Sequence, residues 1–344
     1  MTTTSTPNSV HIPENARIVV AGAGSIGCFV GGLLVAQGHQ VCLLGRPRII
    51  DAIRNGGLKL ADGEALDMAL DANQIGLSTS PECLADADII ILAAKSLVTE
   101  EIAEEIARYA PAHAIVMSLQ NGVRNPRILR EKLQQTVVAT MIPFNVVLSE
   151  GNRFQRTTFT AEIIMEWQPE LAKLLSGDLI TFTAQQDFNE VAWGKLLLNI
   201  NNAINALGGL PVRQQLMDPQ WRRLMAHVVE ESMRVMAAAG IKHQSVAPVS
   251  MKMFCWILRL PTWLFQRIAN SMLKVDPEAR ASMWEDLQQK RLTEIDEFQG
   301  LIIELAEENN CSADLNRRIY GLIKKAEQAA AGSPGLSVDA IRNA

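Results

Sequence analysis

The chain has 344 residues, 48% of them hydrophobic, which is enough to bury a sizeable core and suggests two domains. A net charge of -5 with no Lys/Arg-rich run argues against a nucleic-acid partner. The five cysteines, Cys28, Cys42, Cys83, Cys255 and Cys311, are scattered and never in a C-x-x-C arrangement, and the five histidines show no ligand spacing. Neither a disulfide framework nor a zinc site is indicated, no metal is expected, and a reducing cytoplasm is the expected compartment.

Residues 1–15, rich in Thr, Ser, Pro and Asn, lack the apolar core of a signal peptide and are expected to form a disordered tail. The next stretch, RIVVAGAGSIG over residues 17–27, is the most informative. A buried apolar strand at 18–21 breaks at Gly22, Gly24 and Gly27, and a helical pattern follows over 25–37. Gly22 allows a tight turn, Gly24 admits backbone to a pyrophosphate, and Gly27 lets helix pack on strand. The N–H groups at the helix start, around Ser25 and Ile26, would face the phosphates. The plain alternative is a Gly-rich strand-to-helix turn with no ligand. A second strand at 40–44 runs into Gly45, Arg46, Pro47 and Arg48, with no carboxylate before Asp51. An Asp or Glu usually holds a dinucleotide that lacks a 2′-phosphate, whereas the planar fork of Arg46, with Arg48 as a helper, suits the phosphate of NADP. Solvated loop arginines are the bland reading.

Further strands are predicted at 89–93, 115–118 and 137–141, with a helix at 97–109 between them, the alternation of a doubly wound parallel sheet. Ligands of such sheets bind beyond the carboxyl ends of the strands, so Lys95 and Asn121 with Gly122 are candidates to line the site, against an ordinary solvated lysine and an ordinary turn. Residues 144–182 read as shorter, more antiparallel strands carrying the sheet onward.

From residue 189 the β texture gives way to amphipathic helices at about 189–207, 219–239, 250–274, 277–308 and 314–330. The expected domains are 16–186 and 187–331, with 332–344 fraying. In WGKLLLNINNAIN, Lys195, Asn199 and Asn202 stand at i, i+4 and i+7 and share one stripe among leucines. Burial there lowers a lysine pKa toward roughly 7 to 8, as suits a proton donor, while a snorkelling lysine is the structural alternative. Ser282, Asp286 and Glu294 are predicted on one long helix, whose acids are otherwise simply its wet face. The most apolar stretch, 251–265, is too short and too interrupted to span a bilayer, and is expected to pack, to form an oligomer interface or, less readily, to lie on a membrane surface.

Taken together, GAGSIG, the arginine after the second strand, AAKS, QNG, WGKLLLN, and SMWEDL followed by TEID resemble the 2-dehydropantoate 2-reductase (ketopantoate reductase) family, over residues 17–330. The resemblance implies an α/β Rossmann-type N-terminal domain followed by an all-α C-terminal domain like that of 6-phosphogluconate dehydrogenase. It also implies NADPH as hydride donor and a small 2-keto acid bound between the domains, best guessed as 2-dehydropantoate reduced to (R)-pantoate on the way to pantothenate and coenzyme A. By matching motifs, Lys195 is the proton donor and Glu294 organises the ternary site. Asn199 and Ser282 fall on substrate positions, and Gly22, Gly24, Ser25, Ile26, Gly27, Arg46, Lys95, Asn121 and Asn145 lie on the cofactor side. Two departures bear on substrate. Ala203 stands where a second asparagine is common, with Asn202 beside it as a replacement substrate ligand, and Gln120 stands where a histidine is frequent. The alternatives are the same chemistry on another 2-keto acid or small carbonyl compound, and a non-catalytic NADP-binding sensor. The sequence leaves the oligomeric state open, with a homodimer as one candidate.

Overall fold

The computed structural model describes residues 12–62, 66–157, 161–246, 249–270 and 278–343. The chain parts into two compact units at the Phe188/Asn189 junction. Of the tail expected at 1–15, residues 1–11 lie outside the described residues.

In the first unit the β-branched runs form strands β1 (Arg17–Ala21), β2 (Gln40–Leu44), β3 (Leu58–Ala61), β4 (Asp67–Leu70), β5 (Gly76–Ser78), β6 (Ile89–Leu92), β7 (Ile115–Ser118), β8 (Thr136–Met141), β9 (Val146–Ser149), β10 (Arg153–Arg156), β11 (Glu162–Glu166) and β12 (Thr181–Gln185). Among the described residues these make two sheets. The larger runs β12, β11, β8, β7, β6, β1, β2, β5 and is parallel except where β11 meets β8. Its chain leaves β1 toward β2 and later returns to β6 on the other side of β1, which makes the carboxyl end of β1 a topological switch point, where open α/β sheets bind ligands. The smaller sheet runs β4, β3, β10, β9. The expectation that 144–182 extends the main sheet therefore holds for β11 and β12 but not for β9 and β10. Strand β10 pairs with β3, an alternating LKLA strand remote in sequence, and β9 pairs in turn with β10.

Five helices accompany these strands among the described residues: α1 (Ser25–Ala36), α2 (Pro47–Gly56), α3 (Thr99–Tyr109), α4 (Asn125–Lys132) and α5 (Pro169–Leu175). Helix α1 is buried from Gly27 to Leu34 because it is packed on two sides. A Cβ on Gly31 would stand 2.6 Å from Leu43 of the large sheet, and one on Gly32 would stand 2.7 Å from Leu58 of the small sheet. This is why the helix is apolar all round rather than striped.

The second unit is helical: α6 (Phe188–Asn199), α7 (Asn201–Gly208), α8 (Val212–Met217), α9 (Pro219–Ala238), α10 (Met251–Leu258), α11 (Thr262–Ile268), α12 (Ser282–Gln288), α13 (Gln299–Glu308), α14 (Asp314–Ala329) and α15 (Val338–Asn343). Three expectations are corrected here. The helix expected at 250–274 is split by Pro261 into α10 and α11, and residues 271–274 lie outside the described residues. The long helix expected at 277–308 ends at Gln288, because Lys290 takes a left-handed conformation (φ 54°) and the Arg291 N–H bonds back to the Asp286 carbonyl at 2.8 Å. Ser282 and Glu294 thus sit on separate segments. The end expected to fray forms α15, capped by the Ser337 hydroxyl accepting from the Ala340 N–H, with Val338 and Ile341 buried. No helix among the described residues is long and apolar enough to cross a membrane.

Arg222 of α9, only 1% exposed, pins the split between α10 and α11. Its guanidinium donates to the carbonyls of Leu258 (3.0 Å), Leu260 (2.8 Å) and Leu216 (2.8 Å), and stacks 4.4 Å from the Phe265 ring centroid. The Leu258 and Leu260 carbonyls lose an intrahelical donor where Pro261 ends the run, and that of Leu216 lies in the last turn of α8. Arg222→Met is expected to lower stability by about 2–4 kcal/mol, read as a shift of the urea midpoint at constant slope.

Candidate active site

The glycine loop sits at the switch point. Gly22 has φ +104°, and the N–H groups of Gly22 and Ala23 donate to the Leu44 carbonyl at 3.0 and 2.9 Å, tying β1 to the end of β2. A Cβ on Gly22 would lie 2.6 Å from the Ala94 nitrogen, and one on Gly27 would lie 2.2 Å from the Gly22 carbonyl oxygen. At Gly24 a Cβ would meet no atom within 4 Å, so that face is open. Helix α1 starts at Ser25 with no side-chain cap and no acid in its first turn, so Ser25, Ile26 and Gly27 present the N–H groups and positive dipole end that a phosphate requires. Arg46 follows β2 after Gly45 and is the residue before α2, and both it and Arg48 are exposed. The donor set therefore fits a dinucleotide.

Lys95 follows β6, the neighbour of β1, and Asn121 follows β7, the next strand beyond β6, so the fold brings both to the carboxyl edge on the side of the glycine loop away from β2. Lys95 is exposed and Asn121 half-buried, with Gly122 at φ +84°. A buried amide chain joins the two loops. The Asn125 amide donates to the Ser96 hydroxyl and the Asn121 carbonyl (both 2.8 Å), the Thr99 hydroxyl donates to Asn125 Oδ1 (2.8 Å), and Gln120 Nε2 donates to Thr99 Oγ1 (2.7 Å). Gln120 is 7% exposed and also accepts from the Ser118 hydroxyl, so this residue, a departure from the family pattern, works as a tie between loops. Asn145 comes four residues after β8, the parallel neighbour of β7. It is exposed just before β9 of the small sheet, where its carbonyl accepts from the Thr157 N–H at 3.0 Å.

In the second unit, the helix expected at 189–207 breaks at Ile200, whose carbonyl accepts from Gln299 Nε2 at 2.9 Å. Ile200 nonetheless keeps right-handed helical angles and bonds to the Leu196 carbonyl, so the stripe survives. Lys195, Leu198, Asn199 and Asn202 are half-buried, while Leu196, Leu197, Ile200 and Ala203 are buried. Ala203 faces the core. The Lys195 ammonium is pushed down to about 8 by burial, and the Glu294 carboxylate acts the other way. Lys195 and Glu294, 99 positions apart in sequence, therefore act on one another. Ser282 is exposed at the start of α12.

Asn205 escaped the sequence reading. Its amide, 1% exposed, donates to the Leu210 carbonyl (2.9 Å) and to Gln215 Oε1 (2.8 Å), and accepts from the Ala281 N–H (2.9 Å), which fastens the residue before Ser282 to α7. An asparagine inside the apolar AINAL run was the available signal, since a buried amide must find partners.

A phosphate-ready glycine loop at the switch point of a parallel sheet, followed by a helical unit with a desolvated lysine, defines an NAD(P)-dependent oxidoreductase. Residues 18–168 match the family model described as ketopantoate reductase PanE/ApbA, and residues 187–327 match its C-terminal counterpart. The chain belongs to the ketopantoate reductase family, oxidoreductases acting on CH–OH groups. It is 28% identical to a 2-dehydropantoate 2-reductase of Pyrococcus abyssi (90% of this chain, 98% of the relative). It is 24% identical to one of Archaeoglobus fulgidus, with the same coverage of 90% and 98%. A PanE/ApbA family ketopantoate reductase of Ralstonia eutropha superposes with a TM-score of 0.79 at 26% identity, covering 91% of this chain and 99% of that one. A D-mandelate dehydrogenase solved with NADH and anilino(oxo)acetate has the same fold, with a TM-score of 0.75 at 19% identity and coverage of 91% and 99%.

Because a methyl at Gly27 meets the backbone of Gly22 and not a yielding side chain, Gly27→Ala is expected to displace the start of α1 and weaken both NADPH and NADH by roughly tenfold or more, as measured by fluorescence titration. Unaltered affinity for both would exclude this turn as the phosphate site.

Proposed function

We propose that this chain reduces a 2-keto acid with NADPH, and that 2-dehydropantoate, giving (R)-pantoate, is its substrate. The observation that carries the reading is Lys195, half-buried among leucines with its pKa near 8 and acted on by Glu294. The relatives named 2-dehydropantoate 2-reductase, aligned over nine-tenths of the chain, support the choice of substrate.

Gly22, Gly24, Ser25, Ile26 and Gly27 hold the pyrophosphate, Arg46 grips the 2′-phosphate, and Lys95, Asn121 and Asn145 contribute further cofactor contacts. When bound in reduced form, the nicotinamide supplies a hydride to the keto carbon. Lys195 Nζ gives a proton to the oxygen that becomes the hydroxyl, and Glu294 keeps that ammonium protonated near neutral pH against the pull of burial. Asn199, Asn202 and Ser282 orient the substrate's polar groups, which is where positioning energy enters. Ala203 favours a second reading. Buried and without a hydrogen-bonding side chain, it leaves Asn202 as the neighbouring amide, and if Asn202 does not take over, the same chemistry serves a different 2-keto acid. Initial rates of NADPH oxidation across 2-dehydropantoate and a panel of 2-keto acids lacking its hydroxyl decide between the two readings. No turnover with any of them would leave an NADP-binding sensor.

Two measurements test the residue roles. Arg46→Ala is expected to weaken NADPH by roughly tenfold or more, the loss of one charge-assisted contact, with NADH affinity unchanged; equal losses would exclude Arg46 as the reader of the 2′-phosphate. Lys195→Ala is expected to lower kcat by about two to four orders of magnitude with NADPH binding intact. In the wild type the donor is the protonated amine, which predominates below its pKa, so kcat should fall as pH rises through about 8. A flat profile between neutral pH and the ordinary lysine range would contradict that assignment.

A further inference from the structure

Glu294 lies on a short irregular segment, not on the long helix that its sequence context suggests, so something other than helical regularity must fix its carboxylate. Thr293, just before it, and Asp296, two positions after it, are both fastened to α14. Before it, Thr293 is fully buried, and its N–H and hydroxyl both donate to Glu327 Oε1, at 2.8 and 2.7 Å. The same hydroxyl accepts from the Ile295 N–H at 3.2 Å, which folds the backbone around Glu294. After it, Asp296 accepts from the Tyr320 hydroxyl and from the Lys324 ammonium, both at 2.7 Å. Lys324 also lies 3.5 Å from the second oxygen of Glu327, whose side chain is only 4% exposed, so the two attachments are joined to each other. Tyr320, Lys324 and Glu327 stand at i, i+4 and i+7 of α14 and so share one face of that helix.

We propose that Glu327, with Tyr320 and Lys324, is a positioning device that grips Thr293 and Asp296 so that the Glu294 carboxylate is held where it acts on Lys195. The inference rests on the reading of Lys195 as proton donor. The physical case is the arrangement itself. Two anchors enclose the pair Glu294 and Ile295, one of them a buried carboxylate that accepts a backbone N–H and a hydroxyl through the same oxygen, and charge-assisted bonds of this kind are about twice as strong as neutral ones. The charged and titratable groups of the cluster are Asp296 and Glu297 from the segment itself, Tyr320, Lys324 and Glu327 from α14, and Glu294 facing Lys195 from α6. Because burial lowers the Lys195 pKa and Glu294 raises it, a carboxylate that drifts away leaves burial unopposed, and the ammonium then loses its proton at a lower pH.

The test uses the full-length chain with NADPH and 2-dehydropantoate, and compares Glu327→Leu with Glu327→Gln, which retains the accepting oxygen. Glu327→Leu is expected to lower kcat by roughly ten- to a hundredfold, the usual consequence of a misplacement on the order of 1 Å, with KM nearly unchanged. Its kcat–pH profile should break at lower pH than wild type, and the pH dependence of Lys195 labelling by an amine reagent, followed by mass spectrometry, should move the same way. Glu327→Gln is expected to recover most of kcat and the wild-type break. Should the leucine variant fail to fold, Thr293→Val against Thr293→Ser puts the same question with an isosteric pair. A loss of thermal stability with the Lys195 break unmoved would overturn the proposal, since the clasp would then be structural alone. Full turnover in Lys195→Ala would instead overturn the donor reading, and the positioning role with it. An inactive Lys195→Ala beside a Glu327→Leu enzyme of wild-type kcat and pH profile would overturn the positioning role alone.

Discussion

An ammonium group drawn partly out of water is unfavourable, and the second unit holds one in the half-buried Lys195. Burial of Lys195 on α6 lowers its proton affinity, and the Glu294 carboxylate raises it. In the proposed donor role the two influences oppose each other, burial favouring the neutral amine and the carboxylate favouring the ammonium. The balance needs a carboxylate fixed in place, and a carboxylate on an irregular segment is fixed only by what its neighbours hold. Thr293 and Asp296 meet that need through α14, at distances of 2.7 to 2.8 Å.

The first unit depends on a different constraint, close approach of backbone to backbone. Helix α1 is packed between two sheets, and Gly22, Gly27, Gly31 and Gly32 stand where a methyl would meet neighbouring atoms at 2.2 to 2.9 Å. The same tight packing aims the first turn of α1 at the carboxyl edge of the sheet, so the geometry that builds the core also presents the N–H groups. Behind that edge, the chain from Gln120 through Thr99 and Asn125 to Ser96 holds the loops of Lys95 and Asn121 together, giving two surface loops a buried polar support.

Buried polar groups also set where the helices of the second unit stop. Arg222 receives the carbonyls released at the Pro261 break, Gln299 receives that of Ile200, and Asn205 fastens the residue ahead of Ser282. Each is an interior side chain that spends its hydrogen bonds on backbone left unsatisfied by an interrupted helix, which is why these breaks persist in a low-dielectric interior.

Local pattern was enough to read the strand and glycine turn at 17–27, the arginine in place of a carboxylate after β2, the alternation of the parallel sheet, the change to helical texture near residue 189, and the stripe of Lys195, Asn199 and Asn202. All of these depend on residues within a few turns of one another, and periodicity and turn chemistry act at that range. Tertiary structure decided what hangs on distant partners: the pairing of β3 with β10, the left-handed Lys290 that ends α12, the docking of α15, and the alliance of Glu294 with Lys195 across 99 positions. Periodicity spread Ser282 and Glu294 along one helix because acidic residues at helical spacing look the same whether they face water or a buried lysine. What distinguishes the two cases is the half-burial of Glu294 and its action on Lys195, and both belong to the fold as a whole.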